Sequence, residues 1–333
     1  MRKELVWAGI IGISFGLIIG FGTWRVRSSL KPKDNDKPTP TPQVVGQPKI
    51  TIDKPENRSV VTSDLITVTG ITKPLSWLVF SGEKGDYILE SDEAGAFSKD
   101  IDLISGVNQI KVTSFNTAGD MISQEILVVY SSLFVTATGS PQASTDEAGI
   151  SQKVAQKLTQ AKSQPKAYLG TVTDIADSTI QIKNADSQIE QIAIGNDGIS
   201  VINTKGTNNK TLKITDIAIG DFIVAMGYVN GNEVLAAQRI IVTDPVTDIK
   251  MDAVIAKVTK VTTKGLTLTT LKDNQETSIT PDKNTDFVSF SGYKEKTIKL
   301  SDIVAEDLII AVIDNSGNTP KISSIFDIVQ SQN

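Results

Sequence analysis

TLKITDIAIGDFIVA, residues 211–225, returns as TIKLSDIVAEDLIIA at residues 297–311, an offset of 86 positions without a gap. The same shift lays GTVTDI (170–175) on AKVTKV (256–261) and TIQI (179–182) on GLTL (265–268). A constant offset marks an internal duplication, so the last half of the chain is one unit written twice. Within each copy, short runs rich in Ile, Val and Thr are punctuated by Gly, Asn and Asp, which is strand chemistry. In the first copy the pattern predicts strands at 168–175, 179–183, 189–194, 222–229 and 234–242. Asn230-Gly231 is a hairpin signal, because both central positions of a type I′ turn need positive φ. Five strands this short do not make two good sheets. The pattern therefore predicts two tandem small OB/SH3-like β-barrels, over residues 167–247 and 250–330.

Upstream, residues 49–130 alternate like strands and break at turn signals, the pattern of a β-sandwich. Strands are expected at 50–52, 65–69, 76–80, 87–90, 97–103, 109–115 and 122–130. The phrases VTGIT (68–72), DEAGAFSKDIDLISGVNQIKV (92–112) and NTAGD (116–120) resemble bacterial immunoglobulin-like modules of surface and secreted glycan-acting proteins. That resemblance implies a fold and leaves the ligand open. Trp77 reads as a buried sandwich aromatic in preference to a sugar-stacking platform. The duplicated half resembles a small β-barrel domain of unknown function found in tandem on bacterial envelope proteins. It does so through GTVTDI, STIQI (178–182), ITDIAIGDFIVAMGYVNGN (214–232) and AAQRIIV (236–242). This second resemblance implies fold and setting and no activity.

At the other end, LVWAGIIGISFGLIIGFGTW (residues 5–24) is an uncharged run of twenty residues between Arg2, Lys3 and Arg25, Arg27. At about 1.5 Å per residue a helix of that length matches a bilayer core, and Trp7 and Trp24 sit where interfacial rings belong. The run is too long for a signal-peptide apolar region and carries no A-x-A site, so it reads as an uncleaved transmembrane anchor over 1–30 with the lipid bilayer as partner. Ala8, Gly12, Gly16 and Gly20 recur every fourth residue and form a candidate helix-dimer face, which suggests a homodimer, the alternative being that glycine is simply common in membrane helices. Five prolines make residues 31–48 an extended stalk. Residues 131–166 read as a linker with an amphipathic helix, capped by Ser144 and Glu147 and striped by Ile150, Val154, Leu158 and Ala161. The sequence thus predicts a mainly β protein: transmembrane helix, immunoglobulin-like β-sandwich over 49–130, then two tandem barrels.

Composition narrows the chemistry. The chain of 333 residues has no cysteine and no histidine, which removes thiol nucleophiles, histidine-dependent triads and the usual zinc sites. Its formal charge of −5 disfavours nucleic acid, which asks for a cationic face. Tyr168, Phe222 and Tyr228 are the only aromatics of the first copy, although Lys257, Lys260, Lys264, Lys294, Lys296 and Lys299 collect in the second. Asp216, Asp221, Asp302 and Asp307 recur at equal spacing, and turn capping explains them better than a calcium site or a carboxylate pair.

No catalytic residue, cofactor or metal is therefore assigned, and the chain is read as not an enzyme. The expected role is that of a cell-surface protein, structural or adhesive, binding envelope polysaccharide or a surface protein. The alternative is an accessory or scaffold subunit of an envelope complex working through helix–helix contacts. The expected place is the bacterial cytoplasmic membrane, single-pass, with residues 31–333 outside. Flanking positive charge alone favours the opposite orientation, but long domains translocate largely regardless of it.

Overall fold

The structure is a computed structural model, and it describes residues 49–134, 164–195, 199–206, 209–291 and 294–328. The described residues belong to one compact unit. Every regular element described is a strand, apart from two one-turn 3-10 helices.

The first eight strands are β1 (Thr51–Lys54), β2 (Ser59–Val61), β3 (Leu65–Ile71), β4 (Trp77–Ser81), β5 (Asp86–Glu90), β6 (Ala96–Asp102), β7 (Gly106–Phe115) and β8 (Met121–Tyr130). They build an immunoglobulin-like sandwich. One layer is the three-stranded sheet β1-β3-β6, and the other runs β2-β8-β7-β4-β5. Alternate residues meet between the layers: Val68, Phe97 and Ile101 on one side, Leu78, Phe80, Ile110, Val112 and Val128 on the other. Period-two alternation turns one face of each strand toward this core, as the sequence requires. The strand at Ser59–Val61 was not legible, because three residues are too few to show a period.

The first repeat holds β9 (Lys166–Ala176), β10 (Thr179–Lys183), β11 (Ile189–Ile194), β12 (Ser200–Asn203), β13 (Lys210–Leu212), a 3-10 turn (Ile214–Asp216), β14 (Phe222–Val229) and β15 (Leu235–Thr243). The second holds β16 (Met251–Val261), β17 (Leu266–Thr270), β18 (Glu276–Ile279), β19 (Asp286–Ser291), β20 (Lys294–Thr297), a 3-10 turn (Leu300–Asp302), β21 (Leu308–Asp314) and β22 (Lys321–Ile328). Element order is the same, and so are the irregularities. The β14/β15 ladder slips between Met226 and Gly227, and β21/β22 slips between Val312 and Ile313, the positions related by the duplication.

Two expectations are corrected here. The C-terminal half is not a pair of separate OB/SH3-like barrels. It is a solenoid-like succession of strand layers in which both repeats lay down the same strands in the same order. Twelve strands of the first repeat and the sandwich share one hydrogen-bonded sheet, joined where Ser59 of β2 pairs with Lys166 of β9, and the second repeat is a seven-stranded sheet ending at β18 and β20. The physical reason lies in FIVAMGYV (Phe222–Val229) and LIIAVID (Leu308–Asp314). Their interiors are buried at successive positions, so these strands carry apolar residues to both faces and need a second covering layer. The sandwich supplies it.

The second correction concerns the membrane. No helix among the described residues is long and apolar enough to cross one. The run at 5–24, its proposed dimer face Ala8, Gly12, Gly16 and Gly20, the stalk and the helix expected before residue 164 all lie outside the described residues. The transmembrane helix, the lipid partner, the homodimer and the single-pass placement with residues 31–333 outside accordingly find no support and are set aside.

Candidate binding face

The sheet β2-β8-β7-β4-β5 is covered on both sides. Its inner face meets β1-β3-β6. On its outer face Val79, Ile88 and Phe115 pack against Ala253, Ile255, Ile310, Phe326 and Ile328 of the second repeat. Further along, Val60 and Val129 pack against Ala167, Leu169, Val224 and Met226 of the first. Polar contacts pin the same seam: Gln109 Nε2 donates to Thr247 O (3.0 Å), the Ile249 amide to Gln109 Oε1 (2.8 Å) and Lys111 Nζ to Met251 O (2.7 Å). Among the described residues, the opposite layer, β1-β3-β6, has no such cover.

Its outward residues fall in cross-strand rows. Thr51, Ile71 and Ala96 form one, Lys54, Thr69 and Ser98 a second, Thr67 and Asp100 a third, and Leu65 and Asp102 a fourth, the Asp102 carboxylate being held by Lys84 and Tyr87 of the β4–β5 hairpin. Thr67 Oγ1 donates to Asp100 Oδ1 at 2.7 Å, holding both groups at the surface. Leu65 (49% exposed) and Ile71 (59%) bracket the hydroxyls with apolar ends. Lys99, on the other face of β6, turns away and pairs with Glu295 of the second repeat at 2.5 Å. The face therefore offers hydroxyl, carboxylate and one lysine ammonium hydrogen-bonding group with shallow apolar contact, suited to a hydroxylated ligand bound by many weak contacts.

Sequence-selected residues fall elsewhere. Trp77 is not a platform: its ring stands edge-on to Phe290 of the second repeat, inside the seam. Asp216 Oδ2 accepts the Lys213 amide at 2.9 Å and Asp302 Oδ2 the Lys299 amide at 3.0 Å. Asp221 and Asp307 likewise accept the amides of Ala218 and Val304. All four acids cap turns, and the structure brings them to no common centre. Lys205 beside Asp221 holds that carboxyl below the usual aspartate range. Tyr228 is buried and meets Phe134 at 6.3 Å, Phe222 packs into the same cluster, and the Tyr168 hydroxyl donates to Glu233 O. They form no stacking row for bases. Lys257 pairs with Glu306, while Lys294 and Lys296 lie on the exposed strand β20.

Sequence reasoning missed the seam groups. Asp86 accepts Ser323 Oγ at 2.6 Å and Ser324 Oγ at 2.7 Å across it. Arg58 Nη1 donates to Glu190 Oε1 at 2.5 Å between sandwich and first repeat. The only available signal was the near-continuous apolar runs, which announce a buried second face without naming its partner.

A comparison with curated proteins finds no match. Among solved structures, the chain is similar to a multidomain protein with nucleic acid binding domains from Streptococcus pneumoniae. Identity is 14% and TM-score 0.13, over 50% of this chain and 46% of that one, so less than half of that protein's length is spanned. It is also similar to a 1.5-MDa bacterial ice-binding adhesin, at 13% identity and TM-score 0.20, over 86% of this chain and 98% of that one. A Ca2+-stabilized adhesin of an ice-binding Antarctic bacterium gives 16% identity and TM-score 0.18, over 86% and 76%. Residues 48–131, the sandwich, match the family Glucodextranase, domain B.

Proposed function

We propose that this is a non-enzymatic structural or adhesive protein of the cell surface that binds polysaccharide through the outward face of β1-β3-β6. One observation carries the reading: both repeats cover the outer face of the other sheet, which, among the described residues, leaves the hydroxyl-rich rows of Thr51, Thr67, Thr69 and Ser98 as the open sheet face of the sandwich. The name of the matching family, a domain of a glucodextranase, supports a polysaccharide over a protein partner. In this reading residues 49–130 are the binding module, and the duplicated modules at 167–247 and 250–330 stiffen it from behind.

Retention of the full chain on insoluble glucan and on purified cell-wall glycan tests it. Thr67→Lys with Ser98→Lys places two long charged side chains across the middle rows and is expected to lower retention at least tenfold. Thr267→Lys with Ser278→Lys, on the exposed face of the second repeat, is expected to leave it unchanged. Equal retention of both double variants, or no retention of the unaltered chain on either glycan, overturns the proposal.

A further inference from the structure

Asp86 opens β5 at the seam between sandwich and second repeat. Its Oδ2 takes both serine hydroxyls of β22, and its Oδ1 is enclosed with no hydrogen-bond partner. The surroundings set the electrostatics. Ser81 lies opposite on β4, and Asp286 of β19 is the cross-strand neighbour of Ser324. Tyr87 adjoins Asp86 on β5, and its hydroxyl hydrogen-bonds Asp102. Lys111 of β7, one strand beyond Ser81, is engaged with Glu125, Asp252 and the Met251 carbonyl. Asp327 of β22 interacts with Asp307. Among the described residues no lysine or arginine forms an ion pair with Asp86. A carboxylate so placed is desolvated, faces a second acid and keeps an orphan oxygen, whereas the neutral acid suffers none of these penalties in full.

We infer that Asp86 is a pH-sensitive latch, fastening the second repeat to the sandwich when protonated and loosening the seam when ionised. The inference does not depend on which ligand the free face binds. The direction of titration agrees with it. Burial pushes the Asp86 carboxyl above the usual aspartate range, the serine hydroxyls pull it back, and Asp286 pushes it up again. A group raised on docking contributes its stability in full below the ordinary aspartate pKa and loses it as pH rises through the raised value. The second repeat is then held most firmly in acid.

Trp77 provides the readout, because it lies in this seam and the only other tryptophans are Trp7 and Trp24. In the full chain carrying Trp7→Phe and Trp24→Phe, the melting of Trp77 fluorescence is followed from about pH 4 to pH 8. The Tm of Asp86→Asn minus that of the parent is expected to grow with pH by about 2–4 °C. Ser323→Ala with Ser324→Ala removes the donors that favour the charged form and is expected to steepen the parent's loss of Tm toward alkaline pH. That second variant decides the matter where Asp86→Asn fails to fold. A difference in Tm that is constant with pH for both variants marks a purely structural role and overturns the latch.

Discussion

Trp77 of the sandwich and Phe290 of the second repeat meet edge-on, with ring centroids 5.4 Å apart and planes at 89°. They lie 213 residues apart in sequence, and Phe290 is only 4% exposed. Phe290→Ala opens a cavity in the seam and removes the ring contact, so it is expected to destabilise the protein by about 3–5 kcal/mol. The Trp77 emission of that variant should shift to the red in the native state. A denaturant melt with unchanged stability would show that the seam does not hold the two modules together.

Arg58 fastens the other module. Its guanidinium meets Glu190, whose Oε1 also accepts from Asn184, while its backbone sits at φ 63°, a region that non-glycine residues avoid. Arg58→Ala removes the partner of a mostly buried carboxylate and is expected to cost about 1–3 kcal/mol. Arg58→Gly relieves the backbone and should cost less by about 1 kcal/mol. Equal losses in a urea melt would refute the backbone contribution.

Gly170 and Ala256 occupy equivalent places in the duplication, yet they are not interchangeable. A methyl group on Gly170 would lie 2.4 Å from the Lys183 carbonyl oxygen, whereas Ala256 is fully buried in its own repeat. Gly170→Ala is expected to destabilise by about 1–3 kcal/mol through overpacking. Ala256→Gly should lose only about 0.5–1 kcal/mol, through chain entropy. Thermal melts that rank the two in reverse order would contradict the strand spacing.

The four turn acids should behave alike in pairs. Asp216→Ala and Asp302→Ala each leave an amide without its acceptor and are expected to cost about 0.5–2 kcal/mol, by nearly the same amount in the two repeats. Because these oxygens are already satisfied by backbone, a chelator should leave the Tm of the unaltered protein where it was. A chelator-induced drop, abolished in the aspartate variants, would restore the calcium reading.

Acid should weaken the first repeat at one identifiable place. Lys205, hydrogen-bonded to Asp221 at 2.8 Å, lowers that carboxyl's pKa on folding, and the Ala218 amide adds to the effect. A depressed pKa gives stability that is present above the ordinary aspartate value and lost as pH falls through the folded one. Lys205→Met should therefore flatten the acid limb of the stability profile while leaving the alkaline limb in place. Partial exposure of both groups keeps the effect small.

The duplication, five of the seven strands of the first repeat and the turn-capping aspartates were legible in the residues, because each rests on local chemistry: side-chain period, or a carboxylate three residues from an amide. The short strands β12 and β13 were not, and the turn expected at Asn230-Gly231 takes its positive φ at Glu233 instead. The sandwich was legible for the same reason, save for the short strand at Ser59–Val61. What the sequence by itself determined was therefore a β protein with a sandwich and two like repeats. Tertiary structure alone decided that both repeats share core with the sandwich and that the first also shares its sheet. FIVAMGYV and LIIAVID declare that both their faces are buried, but an apolar surface is non-directional and does not encode which partner covers it. The pairing of Asp86 with Ser323 and Ser324, of Arg58 with Glu190 and of Trp77 with Phe290 exists only once distant segments are brought together, since side-chain contacts across more than a hundred residues leave no local period to read.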